Sequence, residues 1–379
     1  MYLNADLIRI ARRNYDGARR FVVVNPLQGK HVPVSPSKAI AMMGDLGRAV
    51  KNAFPDEKFL CIGFAETASA IGVVVAGILD APYLHTTREH IVGVKDYFFF
   101  QETHSRWAEQ KLCADGWKDL CKGVTRIVLV DDEISTGKTI RALVALLRKN
   151  KEIDGDMRFT VASIINTLDS DYERYLQEES IDAAYLLKAS NSSFDAETES
   201  ITLVMDIPHS DGMELDVRPH FVEYGGKVEP RRGVDIKTYI AACDLLAEKI
   251  IGDVENIRSM KTKTALFLGT EEFMFPAIKA ASVFEKRYPE IDVKCHATTS
   301  SPIAPSKKDG YPIQNAHGIR SFYAEDRGTF VYNLMEYDLA VVVTDTEFND
   351  GQLKNSVDSI CGALAANNIT NIFIAKWGR

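Results

Sequence analysis

Short apolar runs rich in β-branched residues alternate with longer stretches in which apolar positions recur every three or four residues, through most of the 379-residue chain. Runs of the first kind, bounded by polar or glycine punctuation, suit buried strands; the second spacing places apolar side chains on one helix face. On this reading strands fall at 21–24, 59–63, 83–86, 127–130 and 160–165, and helices at 38–54, 68–79, 106–115 and 139–149. Ser35-Pro36-Ser37 supplies capping chemistry before the first helix. Strands alternating with helices predict an α/β protein with a mostly parallel sheet flanked by helices.

Between 190 and 233 the pattern loosens, with Asn191-Ser192-Ser193, Gly225-Gly226 and Glu229-Pro230-Arg231-Arg232. This segment reads as a connector that carries an extra strand at 201–205. A long helix at 236–254 then opens a second α/β series, with strands at 265–268, 292–296, 339–343 and 372–375 and helices at 274–287 and 356–366. A chain of this length exceeds what one hydrophobic core usually supports. Two domains are therefore expected, 1–233 including the connector 190–233, and 234–379.

With 46% hydrophobic and 26% charged residues, the composition is that of an ordinary folded protein. A net charge of −8 opposes a general nucleic-acid or acidic-membrane surface, which needs a concentrated positive field. The cysteines at 61, 113, 121, 243, 295 and 361 form no Cys-x-x-Cys pair, so neither a zinc site nor a disulfide framework is signalled. Asp6, Arg9, Arg12, Arg13 and Asp16 interrupt the first twenty residues, and the longest apolar stretch, 68–79, is too short to span a bilayer. The expectation is a cytoplasmic protein, which sets aside the formal glycosylation triplet at Asn191.

The sharpest chemical signal is the run Val128-Leu129-Val130-Asp131-Asp132-Glu133-Ile134-Ser135-Thr136-Gly137-Lys138-Thr139. Strand, polar loop and helix in that order aim backbone N–H groups and a positive helix end at one point, which suits a phosphate monoester. Ser135, Thr136 and Thr139 add hydroxyl donors, and Gly137 lets the loop curl around an anion. Asp131 and Asp132 would repel a phosphate directly, but they can accept hydrogen bonds from sugar hydroxyls and balance a divalent cation. A nucleoside-triphosphatase loop ending in Gly137-Lys138-Thr139 would need glycine at position 132, where Asp132 stands.

Upstream, Gly63 leads into Phe64-Ala65-Glu66-Thr67-Ala68 and a helix, a second strand-loop-helix ending able to present amides to an anion. Arg88, just past the strand at 83–86, can pair bidentately with pyrophosphate oxygens or form a surface ion pair. Glu102, His104 and Arg106 follow an aromatic run at 98–100 and are candidates for acid–base and charge-stabilising chemistry, or simply exposed loop residues.

The run 128–139 closely resembles the phosphoribosyl pyrophosphate (PRPP) motif of type I phosphoribosyltransferases. The resemblance implies that Asp131 and Asp132 hold the ribose 2′ and 3′ hydroxyls with Mg2+, and that residues 134–139 cradle the 5′-phosphate, with Lys138 where glycine is commonest. It further implies pyrophosphate contacts at Ala65, Glu66, Thr67, Ala68 and Arg88, and a mobile loop carrying Glu102, His104 and Arg106 over the reacting centre. With the C-terminal half included, the chain resembles the orotate-phosphoribosyltransferase-like proteins of tellurite-resistance and stress operons, whose transferase domain precedes a TRSP domain. Thr298-Thr299-Ser300-Ser301-Pro302-Ile303 fits that domain's signature except that Ser300 stands where arginine is expected. Arg320 and Lys307 are candidate replacements.

The implied activity is transfer of ribose 5-phosphate from PRPP to a nitrogen base or a stabilised carbon acid with release of pyrophosphate, in a protein with room to form a homodimer. A non-catalytic PRPP-binding regulator is the alternative from another class. A PRPP synthetase shares the motif, but no ATP signature accompanies it. In the second half, residues 265–274 echo 63–68, and Leu339-Ala-Val-Val-Val-Thr-Asp-Thr346 is similar to the phosphate-motif strand without its Gly-Lys-Thr ending. A degenerate second transferase-like fold and convergent α/β connections both account for these echoes.

Overall fold

In the computed structural model, residues 2–14, 19–101, 109–150, 156–199, 201–204, 206–210 and 217–379 are described. The chain begins with a one-turn helix α1 (Asn4–Leu7) and an antiparallel pair, β1 (Arg9–Arg12) and β2 (Phe21–Val24). There follow α2 (Pro36–Ala53), β3 (Phe59–Gly63), α3 (Ser69–Leu79), β4 (Tyr83–His85), a second antiparallel pair of β5 (Tyr97–Gln101) and β6 (Glu109–Cys113), and the short α4 (Trp117–Leu120). Then come β7 (Arg126–Ile134), α5 (Lys138–Arg148), β8 (Arg158–Asn166), α6 (Ser170–Glu178), β9 (Ile181–Lys188) and α7 (Phe194–Glu199). The last stretch holds β10 (His220–Tyr224), α8 (Ile236–Ile257), β11 (Thr264–Gly269), α9 (Phe275–Arg287) and β12 (Asp292–Ala297). It continues through an antiparallel pair, β13 (Ala316–Arg320) and β14 (Gly328–Tyr332), to β15 (Leu339–Thr344), α10 (Asp350–Ala365) and β16 (Ile372–Trp377).

Two compact units result, both α/β with a parallel sheet, as the alternating pattern predicts. The first gathers residues 1–4, 41–191 and 228–240, and the second gathers 5–40, 192–227 and 241–379, so packing interleaves the sequence where a single cut at 233/234 was expected. The reason lies in the apolar side chains of the N-terminal strands. Ala11, Val22 and Val24 share a core cluster with Ile201, Ile303, Tyr311 and Tyr332 of the second unit.

The first unit's sheet has the order β4-β3-β7-β8-β9, with every neighbouring pair parallel. Its centre reads as an unbroken apolar run because both faces are covered: Leu60 and Ile62 of β3, Ile127 and Leu129 of β7 and Phe159 and Val161 of β8 are all buried. Helix α5 joins this core through Ile140, Leu143, Val144 and Leu147, one face at helical spacing.

Two expected elements are corrected. The helix expected at 106–115 is, over its described part, strand β6, with Gln110 opposite Phe100 and Leu112 opposite Phe98. An aromatic strand needs a partner, and Leu112 buried beside half-buried Phe98 supplies one. No strand forms over 201–204; Ile201 is buried as a single apolar anchor, and Val204 donates its N–H to the Pro305 carbonyl.

Candidate active site

Strand β3 ends at Gly63, whose register partner in β7 is Val130, and the Phe64 N–H donates to the Val130 carbonyl as the last tie between the two segments. On its other side β7 stays paired with β8 for four more residues, up to Ile134 opposite Asn166. The acids Asp131, Asp132 and Glu133 therefore lie on strand, not in the loop expected after Val130. They sit where β3 has diverged from β7. The chain leaves β3 toward β4 on one side and β7 lies on the other, so this divergence is the topological switch point, where ligands of open α/β sheets bind.

Strand alternation separates the acids. Glu133 accepts a hydrogen bond from the Thr167 hydroxyl at 3.0 Å, toward the end of β8. The Asp131 carboxylate accepts the Asp132 N–H at 2.9 Å. Asp132 keeps some exposure at the crest, yet removal of most of its water, together with the Glu133 charge, pushes it up to about 6 against the opposing effect of a hydrogen bond with Asp131. A carboxyl group so placed gains from a ligand that donates hydroxyls or brings a cation.

The loop from 134 to 139 follows. Ile134 is buried in the core, so only its backbone faces the loop. Ser135, Thr136 and Thr139 are half-exposed, and Lys138 is exposed. Gly137 sits at φ 62°, a left-handed conformation that side chains disfavour, and as the N-cap of α5 it offers no capping side chain to the first amides of the helix. The Thr136 hydroxyl accepts the Lys138 N–H at a long 3.5 Å, and the following amides of that end of α5 are open to an external anion.

Across the switch point, the loop between β3 and α3 is braced on both sides. The Thr86 hydroxyl accepts the Ala65 N–H at 2.8 Å, and the Gln110 amide donates to the Ala65 carbonyl at 3.0 Å. The Ala65–Glu66 peptide is cis. The Glu66 carbonyl accepts the Ser69 hydroxyl at 3.2 Å, and the Ala68 N–H returns to the Phe64 carbonyl. Gly63 permits this tight return, because a Cβ there would lie 2.9 Å from the Ala68 carbonyl oxygen. Glu66 and Arg88, expected at one subsite, do come together: their side chains are mostly buried and approach to 3.7 Å. Thr67 is half-exposed beside buried Glu66 and Ala68. Glu102, His104 and Arg106 lie outside the described residues. Among the described residues no group of three or more His, Cys, Asp or Glu is disposed to hold a metal ion.

A family model described as phosphoribosyl transferase matches residues 7–189, and one described as the TRSP domain C-terminal to that transferase matches 231–360. Residues 7–189 belong to this phosphoribosyltransferase family, and its companion TRSP domain follows at 231–360. The chain is therefore an enzyme of the glycosyltransferase class. Solved structures similar to it include adenine phosphoribosyltransferase from Rhodothermus marinus, with 15% identity over 49% of this chain and 96% of that one and a TM-score of 0.33. Orotate phosphoribosyltransferase from Aeropyrum pernix is similar at 14% identity, over 50% of this chain and 91% of that one, with a TM-score of 0.32. No curated protein matches the chain in sequence. No helix among the described residues is long and apolar enough to cross a membrane.

Two residues of the transferase's loop support escaped the sequence reading. Thr86 was visible only as one of several polar residues ending β4, and Gln110 was hidden in the segment read as helix. Each is fully buried; Thr86 holds the Ala65 N–H and Gln110 the Ala65 carbonyl.

Proposed function

We propose that the first unit transfers ribose 5-phosphate from PRPP to a nitrogen base or stabilised carbon acid, releasing pyrophosphate, in a nucleotide-like pathway of the stress-operon kind that the sequence resemblance implies. The observation that carries this reading is the pairing, at one switch point, of a strand end bearing Asp131 and Asp132 with the uncapped N-terminus of α5. A diol reader and a monoester cradle stand in the order in which ribose 5-phosphate presents those groups.

In this reading Asp131 and Asp132 accept hydrogen bonds from the 2′ and 3′ hydroxyls, and residues 134–139 surround the 5′-phosphate. The loop at 65–68 with Arg88 faces the pyrophosphate. Displacement at the anomeric carbon breaks its bond to a pyrophosphate oxygen, forms the bond to the acceptor atom and frees the acceptor's proton. Positive charge grows on the ribose ring and negative charge on pyrophosphate. Asp131 and Asp132 lie on the ribose side of that separation, and the Arg88 guanidinium on the pyrophosphate side. Mg2+ keeps waters and substrate phosphates among its oxygen ligands, so a protein share of two carboxylates, Asp131 and Asp132, fits it; when bound it offsets pyrophosphate charge.

The test is incubation with PRPP, Mg2+ and a cell metabolite extract, with mass spectrometry for new ribosyl-phosphate adducts and a parallel assay for pyrophosphate. Adducts that appear with the native chain and vanish with Asp131→Asn/Asp132→Asn are the expected result. PRPP affinity unchanged in the folded double variant would refute the site.

A further inference from the structure

The second unit repeats the first strand by strand. Its sheet has the order β12-β11-β15-β16-β10, again with every pair parallel. In the first unit Gly63 pairs with His85 and Val130, Val130 with Ala162, and Ala162 with Ala184. In the second, Gly269 pairs with Ala297 and Val343, Val343 with Ala375, and Ala375 with Val222. An antiparallel pair lies between β4 and β7, and another between β12 and β15. Helix α3 starts six residues after Gly63, and α9 six residues after Gly269. The fifth strand differs only in chain order: β9 follows β8, whereas β10 precedes the rest of its series.

The likeness reaches individual hydrogen bonds. The Thr86 N–H donates to the Gly63 carbonyl and the Thr298 N–H to the Gly269 carbonyl, both at 2.9 Å. The Thr86 hydroxyl accepts the Ala65 N–H, and the Thr298 hydroxyl accepts the Glu271 N–H at 3.0 Å. A Cβ on Gly269 would lie 2.7 Å from the Phe273 carbonyl oxygen, so this glycine too admits a tight return. Shared α/β architecture alone does not require such correspondence at strand register, loop length and side-chain clamp together.

Against that common frame the side chains differ, although Glu272 keeps the position of Glu66, the first unit's own buried carboxylate beside Arg88. Glu271 stands where the first unit has Ala65, and its carboxylate is fully buried. It accepts from the Ser321 hydroxyl at 2.6 Å, the Phe322 N–H at 3.3 Å and the Arg327 guanidinium at 2.8 Å. Asp345 stands at the position of Asp132, and both its oxygens are engaged, one by the Tyr323 hydroxyl at 2.7 Å and the other by Lys227 at 3.0 Å. Asn349 stands at the position of Thr136 and closes the end of α10 with its side chain, which accepts the Gly351 and Gln352 N–H groups, while Asp350 adds a negative charge where Gly137 stood. Such a helix end repels an anion.

We infer that the second unit is a circularly permuted copy of the transferase fold in which the chain's own carboxylates and helix cap take the positions that handle the donor, so that one chain binds one PRPP, in the first unit. The stoichiometry rests on the donor reading above; the built-in carboxylate does not. Glu271 acts as a resident anion, and the Ser321 hydroxyl, the Phe322 N–H and Arg327 are its receptor.

The experiment has two arms. Calorimetric titration of the full chain with PRPP and Mg2+ is expected to give one equivalent, lost in Asp131→Asn/Asp132→Asn. Two equivalents, or one remaining in the double variant, overturn the inference. In the second arm, Glu271→Gly removes the carboxylate while suiting the positive φ of 47° at that residue. Its melting temperature is expected to fall and to recover in part with formate but not with chloride at equal ionic strength. No fall, or no formate-specific recovery, overturns the resident-anion assignment. If the native chain binds no PRPP, the donor reading and the stoichiometry fail together, and this second arm still decides whether Glu271 is a resident anion.

Discussion

Asp132→Asn is expected to stabilise the protein at neutral pH while weakening its hold on PRPP. The ordinary aspartate value of 3.8 rises to about 6 at Asp132, chiefly through burial. Between those values the folded chain retains a proton that the unfolded chain has lost, so this group's contribution to stability falls as pH rises from about 4 to about 6 and stays low above that. The full difference corresponds to about 3 kcal/mol, from ~1.4 kcal/mol per tenfold change in proton affinity. Partial exposure reduces the usable part to about 1–2 kcal/mol. Asparagine keeps the shape and discards the charge, so urea titrations should show that gain at pH 7.5 and little of it at pH 4. PRPP loses a charge-assisted hydrogen bond worth ~2 kcal/mol, a weakening of about 30-fold in a calorimetric titration. A variant less stable than the native chain at pH 7.5, or equally favoured at both pH values, would refute the reasoning.

Other substitutions test neighbouring parts. Gln110→Leu leaves the buried Ala65 carbonyl without its amide donor; a rise in KM for PRPP with the fold intact is expected in steady-state kinetics. Gly137→Val should cost about 1–2 kcal/mol in denaturant titration, because φ is 62° there, and should weaken PRPP binding with it. Arg126, buried against Glu57, Asp182 and Thr160 beneath the Phe54 ring, should cost about 3–5 kcal/mol as Arg126→Ala by the same titration. Burial raises the Glu57 carboxyl, but hydrogen bonds from Thr125 and Arg126 and the Arg126 charge outweigh it and hold the group below its usual value. Its stabilisation is therefore present above the unfolded value of about 4.5 and lost as pH falls through the lower folded value. All six cysteines are buried, so a thiol reagent should label none in the native chain and six after denaturation.

How far the sequence disclosed this molecule depends on the range of the interactions concerned. The strand, loop and helix over 128–139 were legible because they are contiguous: β7, the acids, Gly137 and α5 follow one another, and each constrains its neighbour. Thr86 and Gln110 were not legible, because they act on Ala65 across 21 and 45 residues of chain. Gln110 also lay in a segment whose spacing mimics a helix while its real partner is the aromatic strand β5. The same limit governs the second unit. Residues 265–274 display the glycine and the acids that suggest a repeat, but not that Glu271 faces Arg327 across 56 residues or that Lys227 meets Asp345 across 118. A local motif reveals which groups are available; burial and pairing decide whether they stay available to a ligand. Asp132 and Asp345 each stand two residues past the matched valines Val130 and Val343, but β7 runs on to Ile134 whereas β15 ends at Thr344, and distant parts of the chain bring Tyr323 and Lys227 to Asp345.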